Sequence, residues 1–106
     1  VALRELTQQE RDTARQKALA ARAERAEVKR GFGAGALSFT QVLERADSSE
    51  AIARLKTIEL LEALPGVGRV TATKILEDHG VSVTRRLGGL GVKQRRALTE
   101  HLAELS

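Results

Sequence analysis

From Thr7 to Arg30 the chain runs without a glycine or a proline, and most of the residues are Ala, Arg, Glu, Gln or Lys. These are strong helix formers. The stretch opens on Thr7-Gln8-Gln9-Glu10, a capping box in which the Thr7 hydroxyl and the Glu10 carboxylate satisfy free backbone N–H groups. A helix reaching about Arg30 is therefore predicted. Its apolar side is mostly alanine, so it packs thinly or stands partly away from any core. The remaining residues must build that core: the 106-residue chain holds 15 Leu, 8 Val and 3 Ile, enough for one small domain with little left over for a deep substrate cavity.

At 100° per residue, Arg11, Arg15, Arg22, Arg25 and Lys29 fall within about 40° of one line, while Glu24 and Glu27 point roughly the other way. One reading is a solvated helix whose charges pair along its own surface. Such a helix would set Glu four residues before Lys or Arg. This one instead sets Arg11 beside Arg15 and Arg25 beside Lys29, like charges that cost a few tenths of a kcal/mol each. An outside polyanion would reverse that cost, so the stripe is a candidate polyanion-binding surface.

Eighteen Lys and Arg against 14 Asp and Glu give a net charge of +4 and a pI near 10.1, which points to an acidic partner, nucleic acid first. Residues 1–30 sum to +3, residues 31–64 to −2 and residues 65–106 to +3, as expected if two separate surfaces face an anion. Phe32 and Phe39 are the only aromatics, which disfavours single-strand platforms built on base stacking. Cysteine is absent, removing disulfides, thiolate chemistry and cysteine-based metal sites. There is no apolar run of about 18 residues, and Val1-Ala2-Leu3-Arg4 soon becomes charged; a soluble cytoplasmic protein without membrane contact is expected.

Gly31-Phe32-Gly33-Ala34-Gly35-Ala36 reads as the end of the helix and a flexible linker over 31–37. Helical patterning resumes at Ser38, whose capping box with Gln41 precedes Phe39, Val42, Leu43 and Ala46 on one face. Asp47-Ser48-Ser49 breaks that helix and caps a short one carrying Ile52 and Leu55. Thr57 starts another, with Ile58, Leu61 and Leu64 aligned, which stops at Pro65. Val81-Ser82-Val83-Thr84 is too short to build a sheet. The predicted fold class is all-α.

Leu61 to Leu76 is the most specific stretch. Pro65 ends a helix, Gly66 and Gly68 turn the backbone tightly, and Val67 between them plugs the corner into the core. The N–H groups of Gly68, Arg69 and Val70 are then free at the start of the next helix, where they and the positive dipole end form a phosphate site. Arg69 adds a mobile charge at the same mouth, and Lys74 lies one and a half turns on. Leu64-Pro65-Gly66-Val67-Gly68, with its small residue and Ile75 in register, resembles the helix-hairpin-helix signature. No strand precedes the glycines and a third glycine is missing, which excludes a dinucleotide-binding loop. The same hairpin occurs in DNA glycosylases, but the position that holds a lysine in those that cleave with one is Val70. The only nearby aspartate, Asp78, is too close to the glycines to serve as that family's Asp. A non-enzyme with no cofactor is expected.

His79-Gly80 ends the next helix with Gly80 as its left-handed cap. Thr84-Arg85-Arg86-Leu87-Gly88-Gly89-Leu90-Gly91 then makes a second tight turn before Val92-Lys93-Gln94-Arg95-Arg96, with Leu98, Leu102 and Leu105 predicted to face the core. Arg85, Arg86, Lys93, Arg95 and Arg96 cluster in sequence as further DNA-contact candidates; a solvated charged helix is the competing reading for the last three. His79 and His101, 22 residues apart with no thiol in the chain, read as surface histidines and not as a metal site.

The opening Val1-Ala2-Leu3, the Ala/Arg helix, Leu37-Ser38-Phe39-Thr40-Gln41-Val42-Leu43, Leu60-Leu61-Glu62-Ala63-Leu64-Pro65 and Thr84-Arg85-Arg86-Leu87 before Gly89-Leu90-Gly91 look like the actinobacterial integration host factor family. The resemblance covers the whole chain. It implies a long N-terminal helix on a helix-two-turn-helix module, also seen in a small-subunit ribosomal protein. It further implies a nucleoid-associated protein that binds duplex DNA with little sequence preference, bends and compacts it, and assists phage integration alongside an integrase. Gly66, Val67, Gly68 and Arg69, with Arg85 and Arg86, match the family's DNA-contacting elements. The family pattern carries basic residues at positions 66, 71 and 88, where this chain has Gly66, Thr71 and Gly88; Lys74 compensates in part. The expected organisation is a basic helix over 1–30, the linker over 31–37 and a DNA-binding domain over 38–106, acting as a monomer. An RNA- or ribosome-associated module is the alternative, and a protein-interaction bundle with an acidic partner is a third reading.

Overall fold

The computed structural model describes residues 6–105; the Val1-Ala2-Leu3 opening lies outside them. The described residues form helices joined by tight turns, with no strand beyond one isolated bridge. Helix α1 spans Gln8–Gly33, and both halves of its capping box form, Glu10 N–H to Thr7 Oγ1 and Thr7 N–H to the Glu10 carboxylate. At 1.5 Å per residue α1 is about 39 Å long, most of the molecule's 52 Å long axis. Every residue from Arg11 to Ala20 is exposed, as an alanine-sided helix demands. Only the last part docks, through Val28 and Phe32.

The expectation of a flexible linker over 31–37 is corrected here. Helix α1 continues through Gly31, Phe32 and Gly33, and Phe32 is a core residue packed against Phe39 with ring centroids 6.2 Å apart. Burial of Phe32 outweighs the helix cost of its flanking glycines. Both glycines are there for close approach: a Cβ on Gly33 would lie 2.4 Å from the Ala63 carbonyl oxygen, and one on Gly31 would meet the Leu37 side chain at 2.9 Å. The exit is a hydrogen-bonded turn. Gly35 takes φ +80° while Ala36 N–H and Gly35 N–H bond the carbonyls of Gly31 and Phe32, a Schellman ending.

Helix α2 (Phe39–Ser48) starts with the predicted Ser38–Gln41 capping box, and Ser49 caps the short α3 (Glu50–Ala53). Helix α4 (Thr57–Glu62) buries Thr57, Ile58, Leu60 and Leu61. Helix α5 (Arg69–Asp78) ends in a second Schellman turn at Gly80, φ +66°. A 3-10 turn over Leu87–Gly89 leads into α6 (Val92–Glu104). One core joins them: α1 packs on α3, α2 on α3 and α6, and α4 on α5. Leu98 and Leu102 are buried, but Leu105 is 57% exposed. It caps α6 just past the last turn that faces the core, so its predicted core role is corrected.

Candidate nucleic-acid interface

The corner between α4 and α5 is built as its residues dictate. Gly66 takes φ +78°, with open space where a Cβ would sit, and Val67 is half-buried against the core. Val67 N–H bonds the Leu64 carbonyl. Gly68 then caps α5 with no side chain, so the N–H groups of Gly68, Arg69 and Val70 have no acceptor among the described residues. All three residues are exposed. Three outward amides at the positive end of a helix dipole are an anion cradle.

Arg69 is less mobile than its sequence position implies. Its guanidinium lies 3.4 Å from the Glu62 carboxylate, across the corner from the end of α4. An exposed pair of this kind exchanges readily with a competing anion. Lys74 is exposed but five residues on, about 140° around α5 from Arg69, so the two do not share a face. Val70, 84% exposed beside the free amides, is an apolar residue at the surface.

The second tight turn is tied to the opposite end of α4. Thr57 N–H bonds the Arg85 carbonyl, Leu87 N–H bonds the Leu55 carbonyl, and Lys56 and Arg86 form an antiparallel bridge. The arginine turn and the glycine corner therefore sit at the two ends of one helix about 9 Å long. That is room for each to hold a different phosphate. The bridge sets Lys56 directly opposite Arg86, a basic residue that sequence reasoning missed because its neighbour lies thirty residues away. Arg85 donates from Nη1 to the Gly89 carbonyl at 3.2 Å, which shapes the turn, while Arg86 has no ion-pair partner among the described residues.

Gln94 also escapes sequence reasoning, although Gly91-Val92-Lys93-Gln94 carries half of a capping-box signal. Its Oε1 accepts from Gly91 N–H at 3.0 Å, and its Nε2 donates to the Gly80 carbonyl at 3.1 Å. It thus holds together both ends of the segment that carries Arg85 and Arg86. On α6, Lys93 and Arg96 lie three residues apart on one face and are exposed or nearly so. Arg95 turns the other way: only 27% of its side chain is exposed, and it pairs with Asp47 of α2 at 3.1 Å. Its guanidinium ties two helices together, so unlike Lys93 and Arg96 it is available to an outside anion only by exchange out of the Asp47 pair.

A Cβ at Gly88 would meet the Ala53 Cβ at 2.9 Å, so a basic side chain at this position would require α3 to shift. On α1, Arg11 is exposed, and Arg25 is half-buried; neither these two nor Arg22 and Lys29 have an ion-pair partner among the described residues, while Arg15 reaches Asp12 only at 4.0 Å. The stripe lies about a quarter turn from the Val28–Phe32 side of the helix. His79 and His101 are not separate surface residues: Nε2 of the first and Nδ1 of the second are 2.9 Å apart.

Residues 32–102 match the model of the S13-like H2TH domain family. The chain is 47% identical over 100 residues to the integration host factor of Mycobacterium tuberculosis, covering 94% of this chain and 95% of that protein. It is 45% identical to that of Mycolicibacterium smegmatis with the same coverage, and 43% identical over 98 residues to that of Streptomyces coelicolor, covering 92% of each. A solved structure of sIHF bound to an 8bp palindromic DNA superposes with a TM-score of 0.78 at 42% identity, covering 81% of this chain and 97% of that one. With the free amides of the corner and the bridged arginine turn both inside the matched span, the chain belongs to the integration host factor family of H2TH proteins.

Proposed function

We propose that this protein is an architectural component of the nucleoid that binds duplex DNA through its phosphates with little reading of sequence. The observation that carries the reading is the row of exposed, unpaired amides at Gly68, Arg69 and Val70 beneath an exchangeable arginine. Gly66 and Val67 shape that cradle. Arg85 and Arg86, with Lys56 alongside, grip a second phosphate from the other end of α4. Lys93, Arg96 and Lys74 add flanking charge, and Arg95 contributes by holding α6 to α2. The family relationship supports the duplex as partner, since a solved relative is bound to DNA.

The α1 stripe of Arg11, Arg15, Arg22, Arg25 and Lys29 serves as a second surface, engaging either a more distant part of a bent duplex or another duplex. Joining two stretches of DNA in this way compacts it and assists recombination such as phage integration with an integrase. Residues 1–30 and 38–106 then divide the work between a basic arm and a gripping domain.

Phosphate binding releases counterions, so affinity must fall with salt. With about six phosphates engaged, raising salt from 50 to 200 mM weakens binding on the order of a thousandfold. Electrophoretic titration on duplex DNA at several salt concentrations measures this, and a flat response defeats the reading. The same titration with structured RNA as competitor tests the alternative partner: an RNA preference above tenfold would replace DNA as the target.

A further inference from the structure

His79 caps the C-terminal end of α5 and His101 lies in the last turn of α6, and both are half-buried. Their ring nitrogens Nε2 and Nδ1 face each other at 2.9 Å with the rings nearly perpendicular, 86° between planes. Two imidazole nitrogens each about 2.05 Å from one ion, and subtending about 90° at it, are themselves about 2.9 Å apart. The observed spacing is that of an N–H···N hydrogen bond, and it is also one that two neighbouring ligands of a shared ion can keep. To share an ion, the ring that donates in this hydrogen bond shifts its proton to its other nitrogen, and both lone pairs then turn outward onto the metal.

We propose that His79 and His101 form a two-histidine site for a divalent transition metal, Cu2+ by preference. Imidazole is a good ligand for late first-row ions, and among these Cu2+ stands highest in affinity for a given nitrogen site. No group of three or more His, Asp, Glu or Cys suited to a metal exists among the described residues, so water fills the remaining positions. The ion sits at the surface end of α5 and α6 and is exchangeable. Occupied, it ties the end of α5 to the last turn of α6 and closes the 22-residue span that contains Arg85, Arg86, Lys93 and Arg96. That separation hides the pair in the sequence; the Schellman turn at Gly80 and the Gln94 brace bring the two helices together.

Calorimetric titration of the full chain with Cu2+ at neutral pH is expected to show a site of 1:1 stoichiometry. Its affinity falls at least tenfold in His79→Gln and equally in His101→Gln, because each variant leaves one imidazole. Retention of wild-type affinity within threefold in either variant overturns the proposal. Should a variant fold poorly, the unmodified protein decides by NMR: substoichiometric Cu2+ broadens the imidazole signals of both histidines in parallel. Broadening of one without the other, or of neither, also overturns it. Because neither readout involves DNA, the result stands apart from the proposed nucleic-acid function.

Discussion

The outer turns of α1 and the corner-and-turn module are both basic, yet they hold their charge differently. Along α1 the arginines project from an exposed helix, and the only ion pair of the stripe among the described residues is a 4.0 Å approach of Arg15 to Asp12. In the module three of the arginines are held, Arg69 by Glu62, Arg85 by the Gly89 carbonyl and Arg95 by Asp47, and the backbone of Arg86 is fixed by a bridge. Loose charge attracts a polyanion from a distance and tolerates any local geometry, whereas held charge selects one. The module is therefore suited to fix the register of a duplex, and the arm to gather it.

The largest test of this division concerns the joint between the two regions. Phe32→Ala is expected to destabilise the whole chain by about 3–5 kcal/mol, lowering the melting temperature by roughly 15 °C or more. A melt of the module that stayed in place would make α1 an independent appendage. Next, Arg85→Ala with Arg86→Ala should weaken duplex binding on the order of a hundredfold, about 3 kcal/mol, at low salt, while the loss of the exposed Arg85–Gly89 hydrogen bond lowers the thermal melt by only a few degrees. Smallest is the effect of changing Arg11, Arg15 and Arg22 together to Ala: a severalfold drop in affinity, with the slope of log affinity against log salt shallower by about one unit for each phosphate no longer neutralised. If the arm variant bound more weakly than the turn variant, the assignment of the two roles would be reversed.

Much of this is legible in the residues, and the failures share a cause. Capping chemistry is local, so Thr7–Glu10, Ser38–Gln41 and the left-handed Gly80 can all be read from their immediate neighbours. The free amides follow from Pro65, Gly66 and Gly68 alone, because a glycine at the cap position has no side chain with which to occupy them. What stays hidden depends on contacts between distant segments. Gly31 and Gly33 resemble linker glycines until the Ala63 carbonyl is found against one of them. Phe32 resembles a lone aromatic in a loop until Phe39 packs on it. Lys56 gains meaning only from Arg86, Arg95 gains its tie to α2 only from Asp47, and two histidines become a pair only through a turn between helices. Local rules have no access to which remote group arrives.

The near-contact of Gly33 with the Ala63 carbonyl oxygen has a mechanical consequence. A helix about 39 Å long, anchored near one end, is a lever, and its fulcrum presses on the chain two residues before Pro65. A duplex pulling sideways on the distal arginines would transmit torque to the strut that ends in the phosphate cradle. The long lever thus meets the body of the protein through a backbone contact with no side chain between to cushion it.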